Sequence, residues 1–157
     1  MPRPILKKIN VVSIINNSID FMKISSKNTI NFGSKKKEIY INGDEDQLNR
    51  VFINLIKNSE EAILEKEEKD GDFKGNIEIE ISDNNDYINI ILMDNGTGIS
   101  NPKKAMTPYF TTKKTGTGLG LPIVTKIIVE HSGKFSIKNN EKEIGTIIEI
   151  SLPKINA

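Results

Sequence analysis

Residues 76–96 read NIEIEISDNNDYINIILMDNG, with Ile77, Ile79 and Ile81 alternating with polar residues and Ile88, Ile90 and Leu92 repeating the pattern beyond the polar stretch from Asp83 to Asp86. Successive side chains of a strand point to opposite faces, so this pattern predicts a hairpin with one apolar and one wet face. Such a hairpin is stable only if something covers the apolar face. A cover is predicted just upstream, in DEDQLNRVFINLIKNSEEAILEKEEK, residues 44–69. There Leu48, Val51, Phe52, Leu55, Ile56, Ala62 and Ile63 form one stripe at helical spacing, and the acids at its start suit a helix N-terminus.

The other segments extend this pattern. SIINNSIDFM has helical spacing, while TINFG and IYIN read as two short strands around the turn-prone SKKKE. GLPIVTKIIVEHSG reads as a second amphipathic helix stopped by Gly133, followed by strands in KFSIKNN and GTIIEISLP. Strands in antiparallel pairs with helices between them predict an α+β two-layer sandwich, its mixed, mostly antiparallel sheet carrying helices on one face. The opening PRPILKKINVV, with two prolines and a basic pair, reads as a linker over residues 1–10, leaving 11–157 as one domain.

The 157 residues fit a single core. The 22 basic and 21 acidic residues leave a charge of +1, so no global field directs the chain to nucleic acid or to an anionic membrane. The absence of cysteine excludes disulfides and thiolate chemistry and fits a cytoplasmic location. No stretch is apolar for long enough to span a bilayer.

Three constellations carry chemistry. On helix 44–69, Arg50, Asn54, Asn58, Glu61 and Glu65 share a polar face. That face is either simply solvated or functional. Asparagine is a poor helix former, and a carboxamide oxygen can ligate a hard cation, so Asn58 is a candidate Mg²⁺ ligand. In MDNGTGI, residues 93–99, Asn-Gly is a turn signal, but Asp94 stands where the strand leaves the core, and Gly96 and Gly98 would let backbone approach a flat ligand. A carboxylate there accepts from the exocyclic amine of adenine and repels the carbonyl of guanine. Third, TTKKTGTGLGLPIV leads through Gly116, Gly118 and Gly120 into a helix. It fits neither the dinucleotide fingerprint nor the P-loop. It is either a tight helix start or an anion site of free amides, helped by Lys113 and Lys114. His131, the single histidine, sits at a helix C-terminus, where a cation would meet a favourable dipole, and reads as structural.

In this order, NLIKNSEEA, DNGTGI, PYFTTK, GTGLGL and Gly145-Thr146 resemble the ATP-binding catalytic domain of sensor histidine kinases, the family of gyrase, the mismatch-repair ATPase and the heat-shock chaperone ATPase. The similarity runs from about residue 10 to Pro153 and is closest to nitrogen-regulation sensors of the NtrY or NtrB type. The resemblance implies a Bergerat-type fold that binds ATP with Mg²⁺ held by Asn58. It implies catalytic roles for Asn54, Asn58 and Lys113. Asp94 would receive the adenine amine with support from the Thr146 hydroxyl, and Gly96 and Gly98 would floor the base pocket. Gly116, Gly118 and Gly120 would meet the phosphates, with Ile99, Thr112 and Leu119 completing the nucleotide set, and residues 100–115 would form a lid.

Hydrolytic relatives place a glutamate four residues before the metal-binding asparagine, where this chain has Asn54. An amide cannot act as that base, which favours a kinase over a hydrolase. The resemblance further implies a phosphoacceptor histidine on a separate helical dimerisation domain upstream, a response regulator downstream, and a parent protein that can be anchored in the inner membrane. This domain itself is expected to be monomeric and to touch neither membrane nor nucleic acid. The alternative is a nucleotide-sensing or partner-binding module without phosphotransfer, prompted by Met106-Thr107-Pro108-Tyr109 where the lid motif usually reads Phe-x-Pro-Phe.

Overall fold

The computed structural model describes residues 2–99 and 120–155. In chain order the elements are β1 (Lys7–Asn10), α1 (Val11–Lys23), β2 (Thr29–Ser34), β3 (Tyr40–Gly43), α2 (Glu45–Lys69), β4 (Asn76–Asp83), β5 (Tyr87–Asp94), α3 (Gly120–Glu130), β6 (Lys134–Asn139) and β7 (Thr146–Pro153). The main sheet has the order β2-β4-β5-β7-β6, antiparallel except where β2 runs parallel to β4, and β1 pairs with β3 in a separate two-stranded sheet. The β4–β5 hairpin is the centre of the main sheet, with Ile79 opposite Leu92 and Ile81 opposite Ile90.

Alternation decides which face is covered. Ile77, Ile79, Ile81, Ile88, Ile90, Leu92, Ile148, Ile150 and Leu152 are buried with the α2 stripe, Leu48, Val51, Phe52, Leu55, Ile56, Ala62 and Ile63. Val124, Ile127 and Ile128 of α3 and Val11, Ile14, Ile15 and Ile19 of α1 close the layer. The other sheet face, including Ile91, Met93 and Ile147, remains partly exposed. The fold is the α+β sandwich with helices on one face.

TINFG and IYIN are both strands, as expected, and each finds its partner elsewhere: β2 joins β4 and β3 joins β1. Parallel pairing with β4 buries Ile30 in the core. The leading segment is not wholly a linker, because Lys7–Asn10 form β1, in register with Tyr40–Gly43, and Lys8 lies over the Tyr40 ring. Asn10 then caps α1, its Oδ1 accepting from the amides of Val12 and Ile39 at 3.1 Å each.

Acid-labile contacts hold the periphery. Asp83, at the end of β4, accepts from Lys154 at 2.6 Å and from Lys36 at 2.7 Å, and these ammonium groups hold its carboxyl below the ordinary 3.8. Asp44 caps α2 through the Gln47 amide and accepts from Ile5. Burial pulls its carboxyl upward, but the amides of Ile5, Gln47 and Asp46 outweigh this and hold it below 3.8. Both folded-state values lie below the unfolded ones, so the stability they contribute is present above the unfolded carboxylate range and is lost as pH falls through the folded values. In thermal unfolding, the stability difference between wild type and Asp44→Asn should therefore be nearly constant from about pH 7 to about pH 5 and shrink below about pH 4.

Candidate functional site

Asp94 is the last residue of β5, opposite Ile77 of β4 and Thr146 of β7. It is 7% exposed, a costly place for a carboxylate unless donors face it. The Ser59 hydroxyl of α2 donates to Oδ2 at 2.8 Å and the Gly96 amide donates to Oδ1 at 2.9 Å.

The turn after Asp94 is fastened to α2 and β4. The Thr97 amide donates to the Ala62 carbonyl at 3.3 Å, and Lys66, stacked over Phe73, donates to the Asn95 carbonyl at 3.1 Å. Asn95 uses its side chain structurally, accepting from the Asn76 amide at 2.8 Å and donating to the Lys74 carbonyl at 3.1 Å. A Cβ on Gly96 would lie 2.7 Å from Ala62 and 2.9 Å from the Ile63 nitrogen. Gly96 thus lets the turn approach helix α2 closely. Gly98 has φ +81, which only glycine adopts at little cost. Beyond it, an open hollow of about 450 Å³ is bordered by Glu65, Ile99, Asn139 and Gly145.

On the polar face of α2, Arg50 is exposed while Asn54, Asn58, Glu61 and Glu65 are half-buried, so the face is partly covered. The Asn58 carboxamide lies 3.7–3.8 Å from the place a Cβ on Gly120 would take, at the N-terminus of α3. Thus the Asn58 carboxamide stands beside the first residue of α3. Among the described residues no group of three or more His, Cys, Asp or Glu could hold a metal. A divalent ion at Asn58 would complete its shell with phosphate and water oxygens, which is how Mg²⁺ is usually bound, and Asn58 fits that role. Thr112, Lys113, Gly116, Gly118 and Leu119, with the rest of the 100–115 lid segment, lie outside the described residues.

His131 is structural, but for another reason than the dipole. Its Nε2 accepts from the Asp44 amide at 2.9 Å, so the proton sits on Nδ1, 2.8 Å from the Ile127 carbonyl oxygen. That is a task for the neutral ring, tying the end of α3 to the start of α2. Gly133 closes α3 as expected, its amide donating to the Ile128 carbonyl at 2.9 Å. Ser132 takes the left-handed conformation, φ 61, and a Cβ on Gly133 would strike the Ser151 carbonyl.

Sequence reasoning missed Ser59, Asn95 and Asn139. Ser59 carried a signal, since it follows Leu55 and Ile56 by four and three residues and is thus a polar residue on the apolar stripe. Asn139 carried none.

A profile of the family described as histidine kinase-, DNA gyrase B-, and HSP90-like ATPase matches residues 43–156. The chain belongs to this family. An NtrY-like sensor histidine kinase of Rickettsia felis is 36% identical over 154 residues, 96% of this chain and 24% of the relative. Sporulation kinase A of Bacillus subtilis is 40% identical over 124 residues, 76% of this chain and 19% of the relative. The chain spans about a quarter or less of the length of these relatives. The catalytic domain of histidine kinase ThkA superposes with a TM-score of 0.81 at 26% identity, covering 96% of both chains. ThkA in complex with the response regulator TrrA superposes with a TM-score of 0.78 at 23% identity over 97% of this chain and 42% of that one. The architecture is that of a histidine kinase catalytic domain. No helix among the described residues is long and apolar enough to cross a membrane.

Proposed function

We propose that this domain binds Mg-ATP and transfers the γ-phosphoryl group to a histidine on another domain, from which a response regulator receives it. The observation that carries the reading is the buried Asp94 carboxylate, held at the end of β5 by the Gly96 amide and by Ser59, a residue of the same helix α2 that carries Asn58 beside the start of α3. Asp94 selects adenine by accepting from its exocyclic amine, and Thr146, facing Asp94 across β5 and β7, supports that contact. Asn58 holds Mg²⁺, which neutralises phosphate charge during transfer. The free amides that open α3 face the phosphates, and Lys113 and the glycines before Gly120 add to that cradle.

The acceptor lies elsewhere because His131 is the chain's single histidine, is 5% exposed, and has both ring nitrogens engaged. Asn54 cannot activate water, so hydrolysis without an acceptor should be slow. A response regulator as final recipient is supported by the ThkA complex with TrrA.

Calorimetric titration of ATP and GTP, with and without Mg²⁺, tests this. ATP should bind and GTP should not, and Asn58→Ala should retain ATP binding while losing its Mg²⁺ dependence, weakening Mg-ATP about ten-fold. Equal binding of ATP and GTP, or no binding, would refute the base assignment.

A further inference from the structure

Asn139, the last residue of the edge strand β6, is exposed, yet its side chain makes two short bonds to a single residue far along the chain. The Ile99 amide donates to Asn139 Oδ1 at 2.6 Å, and Asn139 Nδ2 donates to the Ile99 carbonyl at 2.6 Å. The carboxamide therefore imitates one rung of a β-ladder, capturing both polar groups of a residue that has left β5 and pairs with no strand. The neighbouring geometry is shaped to the same contact. Gly98 has φ +81, and a Cβ there would lie 2.8 Å from Asn139 Oδ1. Asn139 is itself fixed, because its backbone is in register with Thr146 and the Asn140 amide donates to the Gly145 carbonyl at 3.0 Å.

We propose that Asn139 is a positioning residue that clasps the Ile99 backbone and so sets the wall of the nucleotide pocket formed by Gly98, Ile99 and Gly145. The inference rests on the nucleotide reading above. It follows from how that wall is held: the turn from Asp94 to Thr97 is fastened to α2 and β4, the Gly98 carbonyl accepts only a long 3.5 Å bond from the adjacent Thr97 hydroxyl among the described contacts, and the Ile99 backbone is held by Asn139. Without the clasp, Asp94 keeps its place through Ser59 and Gly96, while Gly98 and Ile99 gain freedom that binding must then remove. The consequence is a loss of affinity on the base side, equal for ATP and ADP and independent of Mg²⁺.

The experiment pairs amide exchange with titration on the whole 157-residue chain, as wild type, Asn139→Ala and Asn139→Asp. Aspartate keeps the acceptor for the Ile99 amide but sets a second oxygen against the Ile99 carbonyl. Slow exchange at Ile99 in the wild type should become fast in Asn139→Ala without nucleotide. ATP and ADP should both bind about five- to ten-fold more weakly to Asn139→Ala, and at least as weakly to Asn139→Asp, at an unfolding midpoint within a few degrees of wild type. Unchanged Ile99 exchange overturns the clasp whatever the nucleotide does. Faster exchange with unchanged ATP and ADP affinity overturns its role in the pocket. Failure of the wild type to bind ATP is the failure of the nucleotide reading itself, and removes Asn139's role in binding with it.

Discussion

Asp94→Asn is expected to lower ATP affinity about a hundred-fold, roughly 2.7 kcal/mol, while the domain keeps its fold. The two consequences separate because the donors around Asp94 respond differently to an amide. The substituted oxygen can still accept from the Gly96 amide, now 2.9 Å from Oδ1. The Ser59 hydroxyl, 2.8 Å from Oδ2, can rotate and accept from the new NH₂ group. The exocyclic amine of adenine cannot adapt in that way. It loses a charged acceptor and meets a donor, in a site with little water to compensate. Titration together with thermal unfolding reads both effects. Loss of affinity with a collapse in melting temperature would instead mean that the carboxylate holds the fold. Ser59→Ala should show a milder version, since one donor to a buried carboxylate is removed and the base contact remains.

Among the described glycines, Gly145→Ala should be the most damaging added methyl, costing about 3 kcal/mol or more and abolishing ATP binding with it. Gly145 has φ +154, and an added Cβ would fall inside the envelope of the Asp94 carbonyl oxygen, 3.0 Å from the Asp94 carbonyl carbon and 3.1 Å from Asn95 Cα. All of these are backbone atoms, so nothing can rotate away. Relief requires β7 to separate from β5 where Thr146 pairs with Asp94, which displaces the base-binding carboxylate. Gly71, whose Cβ would meet nothing within 4 Å, is the matched control, and Gly71→Ala should leave both unfolding and binding near wild type. A small effect of Gly145→Ala, seen by the same two measurements, would show that this end of the sheet yields more easily than its backbone contacts imply.

Much of the site was legible because its chemistry lies in local patterns. Asp94 stands at the boundary between an alternating strand and a glycine turn, and Asn54 and Asn58 stand one helical turn apart on a face distinct from the apolar stripe. Distant partners are what the sequence does not show. Gly96 and Gly133 each have a neighbouring backbone, Ala62 to Ile63 or Ser151, where a Cβ would fall. His131 was placed in a helix dipole when its ring bridges to Asp44, 87 residues away. Asn139 reaches Ile99 across 40 residues and leaves no periodic trace in the chain.

The sequence by itself determined the type of every element except β1, the covered face of the sheet and the helix stripe that covers it, because alternation and helical spacing are properties of neighbouring residues that burial must respect. Only the tertiary structure decided that β2 lies parallel to β4, that β1 captures β3, and that Ser59 and Asn139 fasten the carboxylate and the turn beside it. Strand partners and single polar contacts are chosen by competition among distant segments, and that choice is settled when they pack.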